Sequence, residues 1–310
     1  MSGISVVIPT KDRLPFLRKA VAMFLAEPEV TEVIVIIDGC RDQTLDYLAE
    51  LAEREPRVRY ADNGRNRGTP YSRNKGIDLA TQEYLFCAED DLELTDGFFG
   101  TLLSHLQNSG ADIISGRNIF RYERETPAEA ISRADLIPGP AVDPRELTVQ
   151  TGIAAPSDRP QPLLPSPMLG RTAIFRNVRF GEEYGGNFWR EESDFQLSAQ
   201  EHGYKLVFCP HAISFNFIIE NDRGGAHSVA GAQWARWVIT NNWRFVRKHR
   251  DHIAANFDIG NQYLYITAFA FRRIRELIVL PYLVRFKRDL LALLRIRSGS
   301  TRPTSAGPSR

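Results

Sequence analysis

Glu89, Asp90 and Asp91 stand in a row directly after the apolar run Tyr84–Ala88. Three adjacent carboxylates repel one another unless water or a cation separates them. The run before them has strand length and is rich in β-forming residues. The C-terminal end of a buried strand is where open α/β sheets bind ligands. A hard divalent ion, Mg²⁺ or Mn²⁺, held together with the phosphate oxygens of a substrate would account for the cluster. A solvated acidic turn would account for it as well, and this stretch alone leaves both open.

The elements that must position these acids follow from the hydrophobic pattern. Ile4–Ile8 reads as a buried strand, broken by Pro9-Thr10-Lys11-Asp12, and Leu14–Leu25 has helical apolar spacing. Glu32–Ile37 is a second buried strand ending at Asp38-Gly39. A helix over 43–54, a short strand Val58–Ala61, a turn at Arg65–Gly68 and a helix Tyr71–Ala80 then lead into the acidic strand. Strands alternating with helices predict a parallel sheet covered on both faces. Nine of the 18 prolines fall between Pro127 and Pro167, so regular elements in the insertion 121–167 must be short. That segment is either a cover over a site or a disordered insertion. Strand character returns at Met168–Phe175. Glu191–Asp194 is followed by a helix over Phe195–His202, and Lys205–Cys209 reads as the last buried strand.

The chain of 310 residues carries a formal net charge of +1, with 43% hydrophobic and 25% charged residues, which fits a globular protein with a sizeable core. A balance near zero argues against a nucleic-acid binder across the whole surface. Three scattered cysteines, Cys40, Cys87 and Cys209, with no CxxC, indicate neither a disulfide framework nor a zinc site, and suggest a reducing, cytoplasmic setting. No signal-like segment opens the chain, and no run of 18 apolar residues is present. Residues 244–297 hold 12 Lys/Arg against four Asp/Glu. In Leu283–Ile296, Leu283, Phe286, Leu290 and Leu294 share one helical face ringed by Arg285, Lys287, Arg288 and Arg295. Such a basic amphipathic helix suits the surface of an anionic membrane. The same face would also pack against the rest of the chain or a second copy in a homodimer. The tail 298–310 has the composition of a disordered segment.

Taken in order, Val6–Arg13, Glu32–Thr44 with its Asp38-Gly39, Asn66–Gly76, and Glu89-Asp90-Asp91 form a succession. It resembles that of the family 2 nucleotide-sugar glycosyltransferases with the GT-A fold. The resemblance covers residues 3–215. It implies a Rossmann-like nucleotide-diphospho-sugar transferase fold, a mixed sheet flanked by helices, over residues 1–220. A basic helical region at 221–297 and the tail at 298–310 would follow.

The resemblance also implies roles. Pro9 and Thr10 would border the nucleotide base, with Asp38 accepting a hydrogen bond from it. Arg73 would face the diphosphate, although a surface ion pair would also explain it. Asp91 would hold Mn²⁺ or Mg²⁺, and Asp90 or Glu89 would face the ribose or the metal's waters. Glu192, where inverting members carry Asp, would deprotonate the acceptor hydroxyl, with Glu191 and Asp194 as alternatives. Acids at a helix N-terminus are also favourable for dipole reasons alone. Trp189 would stack on an acceptor sugar or belong to the core. Ile37 and Asn216 depart from the family pattern, the latter where a histidine often supplies a third metal ligand. His211 and His227 are the candidate substitutes, His227 the better one.

The resemblance implies a metal-dependent, inverting transferase, with inversion and the preference for UDP carried over from the family. It would move a sugar from a nucleotide-sugar donor, a UDP-sugar by preference, to a glycan or lipid-linked acceptor, in the cytoplasm or at the inner face of the membrane. A nucleotidyltransferase would need a glycine-rich loop after the first strand, which Pro9–Arg13 lacks. A non-catalytic nucleotide- or glycan-binding member of the same fold is the other alternative.

Overall fold

The computed structural model describes residues 3–218, 231–284 and 286–287. His227, the tail and most of the predicted helix 283–296 lie outside the described residues. The first half runs β1 (Ile4–Thr10), α1 (Leu14–Ala26), β2 (Val30–Ile37), α2 (Thr44–Arg54), β3 (Val58–Asp62), α3 (Thr69–Leu79) and β4 (Tyr84–Cys87). After the acids come β5 (Leu92–Leu94), α4 (Phe98–Ser109) and β6 (Ile113–Tyr122). The proline-rich stretch holds α5 (Pro127–Asp135) and three two-residue strands, β7 (Val142–Asp143), β8 (Thr148–Val149) and β9 (Arg159–Pro160). Then follow β10 (Met168–Arg171), α6 (Thr172–Asn177), α7 (Glu191–Glu201) and β11 (Leu206–Ile218). Helices α8 (Gly231–Lys248), α9 (Arg250–Asn256) and α10 (Gln262–Ile274) end in a π-helical turn, Arg275–Val279.

One mixed sheet has the order β3-β2-β1-β4-β10-β6-β11-β5, with β9 alongside β11. The strands β3, β2, β1 and β4 are parallel, and β10 reverses direction between β4 and β6. Period-2 alternation sorts the core onto two faces. Ile4, Val6 and Ile8 meet Leu17, Val21 and Phe24 of α1 and Phe98 and Phe99 of α4. Val7 faces the other way, with Ile77 of α3 and Phe195 of α7. A Cβ on Gly76 would come within 2.2 Å of Val7 Cγ1, so α3 lies on β1 at glycine distance and carries Arg73 to the strand ends.

Three expectations are corrected. The segment 168–175 is half strand and half helix, because Thr172 turns into α6 after pairing with Glu83, its amide donating to the Glu83 carbonyl at 2.9 Å. Helix α7 begins at Glu191 rather than Phe195, so its first turn contains Glu191, Glu192 and Asp194, where negative charge meets the positive helix end. Strand β11 runs on to Ile218 instead of stopping at Cys209. Its register against β6 shifts between Phe208 and Ile213 and then resumes, a bulge around Pro210 that hides the strand's length from the sequence.

Helices α8 and α10 pack back on α7. Phe245, Tyr265 and Phe269 form a third core cluster with Leu197 and Tyr184, so α8 and α10 bury one face on the domain. The opposite side of α10 and its continuation stays open: Leu264 is 70% exposed, Phe271 71% and Tyr282 69%.

Candidate active site

The C-terminal ends of β1, β2 and β4, the N-terminal turn of α7 and the far end of β11 surround a cleft of about 780 Å³. Its walls include Pro9, Thr10, Asp38, Arg73, Glu89, Asp90, Asp91, Trp189, Glu191 and Glu192. Ten of the predicted site residues, drawn from positions 9 to 192, are thereby brought together. Asp194 and His211 are not among those lining it.

Asp38 is buried at the end of β2 and accepts hydrogen bonds from the backbone N–H groups of Arg67 (2.7 Å) and Gly68 (2.9 Å) and from Asn63 Nδ2 (2.9 Å). It thus fixes the turn that starts α3. Gly68 has φ +94°, and a Cβ there would meet Phe188 at 2.5 Å. Both facts require glycine.

The acids after β4 are held by residues the sequence did not assign to them. Thr10 Oγ1 donates to Asp90 at 2.7 Å. Arg13, from the turn after β1, spans Asp90 (3.0 Å) and Asp91 (2.8 Å). Asn216 sits inside β11 rather than after it, and its Nδ2 donates to both Glu89 (2.8 Å) and Asp91 (3.1 Å). Its own carbonyl oxygen accepts from Asn118. The amide therefore occupies the expected histidine position as a bridge between carboxylates. Arg13 had a signal, a cation in the turn right after the first strand. Asn216 had one too, its place where the family pattern often carries a histidine; Asn118 had none, since only the pairing of β6 with β11 brings it to Asn216.

Arg73 lies at the centre, 2% exposed, 2.7 Å from Glu192, 3.1 Å from Glu191 and 3.9 Å from Glu89. Burial disfavours its charge, but Glu191 and Glu192 outweigh burial and raise its pKa. One guanidinium cannot neutralise three carboxylates. Desolvation, then Glu192 and Asp91, push the Glu89 carboxyl up to about 7. Desolvation, opposed by Arg73 and aided by Glu192, pushes Glu191 up to about 8. Glu191 Oε2 is buried without a hydrogen-bond partner.

This excess of acid is the test of fit for a metal. The donor set at Glu89 and Asp91 is all oxygen, the kind Mn²⁺ and Mg²⁺ take. A divalent cation between Glu89 and Asp91 would replace the proton that burial and the neighbouring acids leave on Glu89.

Asp194 departs from the expectation of an alternative base. Its side chain is fully buried behind α7, bonded by Tyr184 Oη (2.9 Å), Lys248 Nζ (2.8 Å) and His249 Nε2 (2.8 Å). Burial alone would raise its pKa, but His249 and Lys248 lower it. It ties α7 to α8. His211 is exposed on β11, its ring 5.4 Å from that of His105. Trp189 lies in the cleft wall edge-on to Phe269 (6.0 Å), with the guanidiniums of Arg190 (4.9 Å) and Arg273 (5.6 Å) over its ring.

The profile of glycosyl transferase family 2 matches residues 5–158, from β1 through the proline-rich stretch. The chain belongs to this family. Among curated relatives, the GalNAc(5)-diNAcBac-PP-undecaprenol beta-1,3-glucosyltransferase of Campylobacter jejuni is 29% identical over 125 residues, 40% of either chain. Among solved structures, GalNAc-T7 with UDP, GalNAc and Mn²⁺ superposes with a TM-score of 0.61 at 13% identity, over 80% of this chain and 48% of that one. The mannosyltransferase PcManGT from Pyrobaculum calidifontis, in complex with GDP-Man and Mn²⁺, gives 0.58 at 15% identity, over 94% and 81%. This likeness shows the GT-A fold. The family 2 chain spans about two fifths of the Campylobacter relative.

Proposed function

We propose that the protein is a metal-dependent, inverting glycosyltransferase that moves a sugar from a nucleotide donor, a UDP-sugar by preference, to a hydroxyl of a glycan or lipid-linked acceptor. The observation that carries this reading is the meeting of two acidic groups across one buried arginine: Glu89–Asp91 at the end of β4 and Glu191-Glu192 at the start of α7, joined through Arg73. A donor phosphate site and a base belong on opposite sides of a reacting carbon, and Arg73 reaches both.

In this reading Pro9, Thr10 and Asp38 border the nucleotide, and Arg73 gives charge-assisted hydrogen bonds to the diphosphate. Asp91 would hold Mn²⁺ or Mg²⁺, with Glu89 or Asp90 facing its waters, and the ion would supply Lewis-acid neutralisation of the departing diphosphate. Glu192, half-exposed to the cleft and oriented by Arg73 at 2.7 Å, takes the proton of the acceptor hydroxyl. That oxygen bonds to the anomeric carbon while the bond to the diphosphate breaks and its electron pair leaves with the diphosphate. Glu191, pushed up to about 8, keeps its proton near neutral pH and leaves Glu192 as the base. Trp189 borders the acceptor. UDP with GalNAc-T7 and an undecaprenol-linked acceptor in the name of the Campylobacter relative support the donor and acceptor classes.

The open side of α10 and the turns after it, apolar at Leu264, Phe271 and Tyr282 with the exposed Arg275 on the turn that follows, supports a seat on an anionic bilayer. Among the described residues no helix is long and apolar enough to cross a membrane.

The test is turnover of a panel of UDP- and GDP-sugars with Mn²⁺ by wild type and Glu192→Gln. Loss of a positioned base lowers kcat about 10²–10⁴-fold with donor affinity retained. Equal turnover by the variant would remove Glu192 from the mechanism, and no turnover of any donor with lipid-linked or glycan acceptors would remove the activity.

A further inference from the structure

A second cluster of ligand-type side chains lies outside the cleft. His105 on α4, Asp158 at the end of the proline-rich segment and Cys209 on β11 bring one ligand atom each within 4.8 Å of one another. His105 Nδ1 and Asp158 Oδ2 are 2.6 Å apart. Asp158 Oδ1 is buried with no hydrogen-bond partner. Cys209 is fully buried, and the ring of His211 stacks obliquely on that of His105 at 5.4 Å.

The backbone around Cys209 is built rather than incidental. It opens the bulge of β11, where the four residues 209–212 face Gly116 alone on β6. A Cβ on Gly116 would come within 2.3 Å of the Ala212 carbonyl oxygen, so the bulge requires glycine opposite it. The bulge turns the N–H groups of His211 and Ala212 toward the Cys209 sulfur, while burial first and then the Asp158 carboxylate beside it push the thiol up to about 11. A metal ion binding there would have to displace that proton. A thiolate, an imidazole and a carboxylate form a borderline-soft donor set that suits zinc.

We propose that His105, Asp158 and Cys209 form a structural zinc site separate from the cleft, with His211 or a water as fourth ligand. Closure needs the His105–Asp158 contact to open from 2.6 Å to about 3.4 Å, the edge of a tetrahedron around zinc with bonds of about 2.1 Å. The thiol releases its proton to solvent as the Zn–S bond forms, and no electron is transferred. The ion ties α4, β11 and the end of the segment 121–167. Next to it, β9 pairs with Val207 and Phe208 as a two-residue strand.

The experiment uses the full chain, stripped with a chelator, and the metal alone as probe. One equivalent of Co²⁺ gives a thiolate charge-transfer band in the near ultraviolet with tetrahedral bands in the visible, displaced by Zn²⁺. The band is lost in Cys209→Ser and His105→Gln and kept in Cys40→Ser, which controls for the exposed Asp12–Cys40–Asp42 group. Zn²⁺ at about 100 times its Kd raises the Tm of wild type by about 5 °C and leaves His105→Gln unmoved. His105→Gln keeps the proposal falsifiable if Cys209→Ser does not fold. No band in wild type, a band that survives in either site variant, or a band lost in Cys40→Ser would overturn the site. None of these readouts depends on sugar transfer.

Discussion

Glu191→Gln tests the electrostatics of the cleft without substrate. The Glu191 carboxyl is pushed from 4.5 to about 8, first by desolvation. Its folded pKa therefore lies above its unfolded one, and the folded state holds a proton that the unfolded chain has released. Stability falls as pH rises through that window, by about 1.4 kcal/mol for each pH unit. Across the window from 4.5 to about 8 the ceiling is roughly 5 kcal/mol. Glutamine cannot ionise, so this loss disappears in the variant. The amide has its own fixed cost, because its NH₂ replaces Oε2, which has no partner. That cost does not change with pH, so the decisive quantity is the difference between the two proteins as a function of pH. Urea unfolding at steps from pH 5 to pH 9 should show the variant gaining several kcal/mol on wild type toward the alkaline end. Glu89, pushed up to about 7, leaves a residual slope of the same sign in both proteins. A difference constant to within about 1 kcal/mol over the range would refute the argument that one guanidinium fails to neutralise these acids.

Gly76→Ala should cost about 1–3 kcal/mol, because its Cβ meets Val7 Cγ1 at 2.2 Å; thermal unfolding reads it, and Val7→Ala should recover part of the loss. Asp194→Asn should cost about 3 kcal/mol by breaking a buried pair. With the Asp194 pKa lowered from 3.8, the stability it contributes is present above that pH and lost as pH falls below it, so acid unfolding of the variant should be less steep. Wild type should float with phosphatidylglycerol vesicles at low salt and less so at high salt, and replacing Leu264, Phe271 and Tyr282 by serine should abolish flotation; wild type left in the pellet would sink the bilayer seat.

Much of the first half of the fold was legible in the chain. Val6–Ile8, Ile34–Ile37 and Leu85–Cys87 are continuous apolar runs, as buried parallel strands must be, and each ends at a residue of the cleft. The second half was harder. Pro210 and His211 interrupt the apolar pattern of β11, so its outer half and Asn216 could not be placed on a strand. The acids at 191–194 read as a loop before a helix, although they are its first turn. Asp194 looked like a base because its partners, Lys248 and His249, lie more than 50 residues later. Arg13 was visible as a cation after β1, but its targets emerge only when β4 pairs beside β1.

The central claim is that the acids after β4 form a metal-dependent donor site. Calorimetric titration of UDP, GDP, TDP and CDP, with and without Mn²⁺, into wild type and Asp91→Asn tests it most directly. The account predicts that one nucleotide binds only with Mn²⁺ and that Asp91→Asn weakens it at least about 10-fold. Binding that ignores Mn²⁺ and survives the substitution, or no binding of any nucleotide, would contradict it.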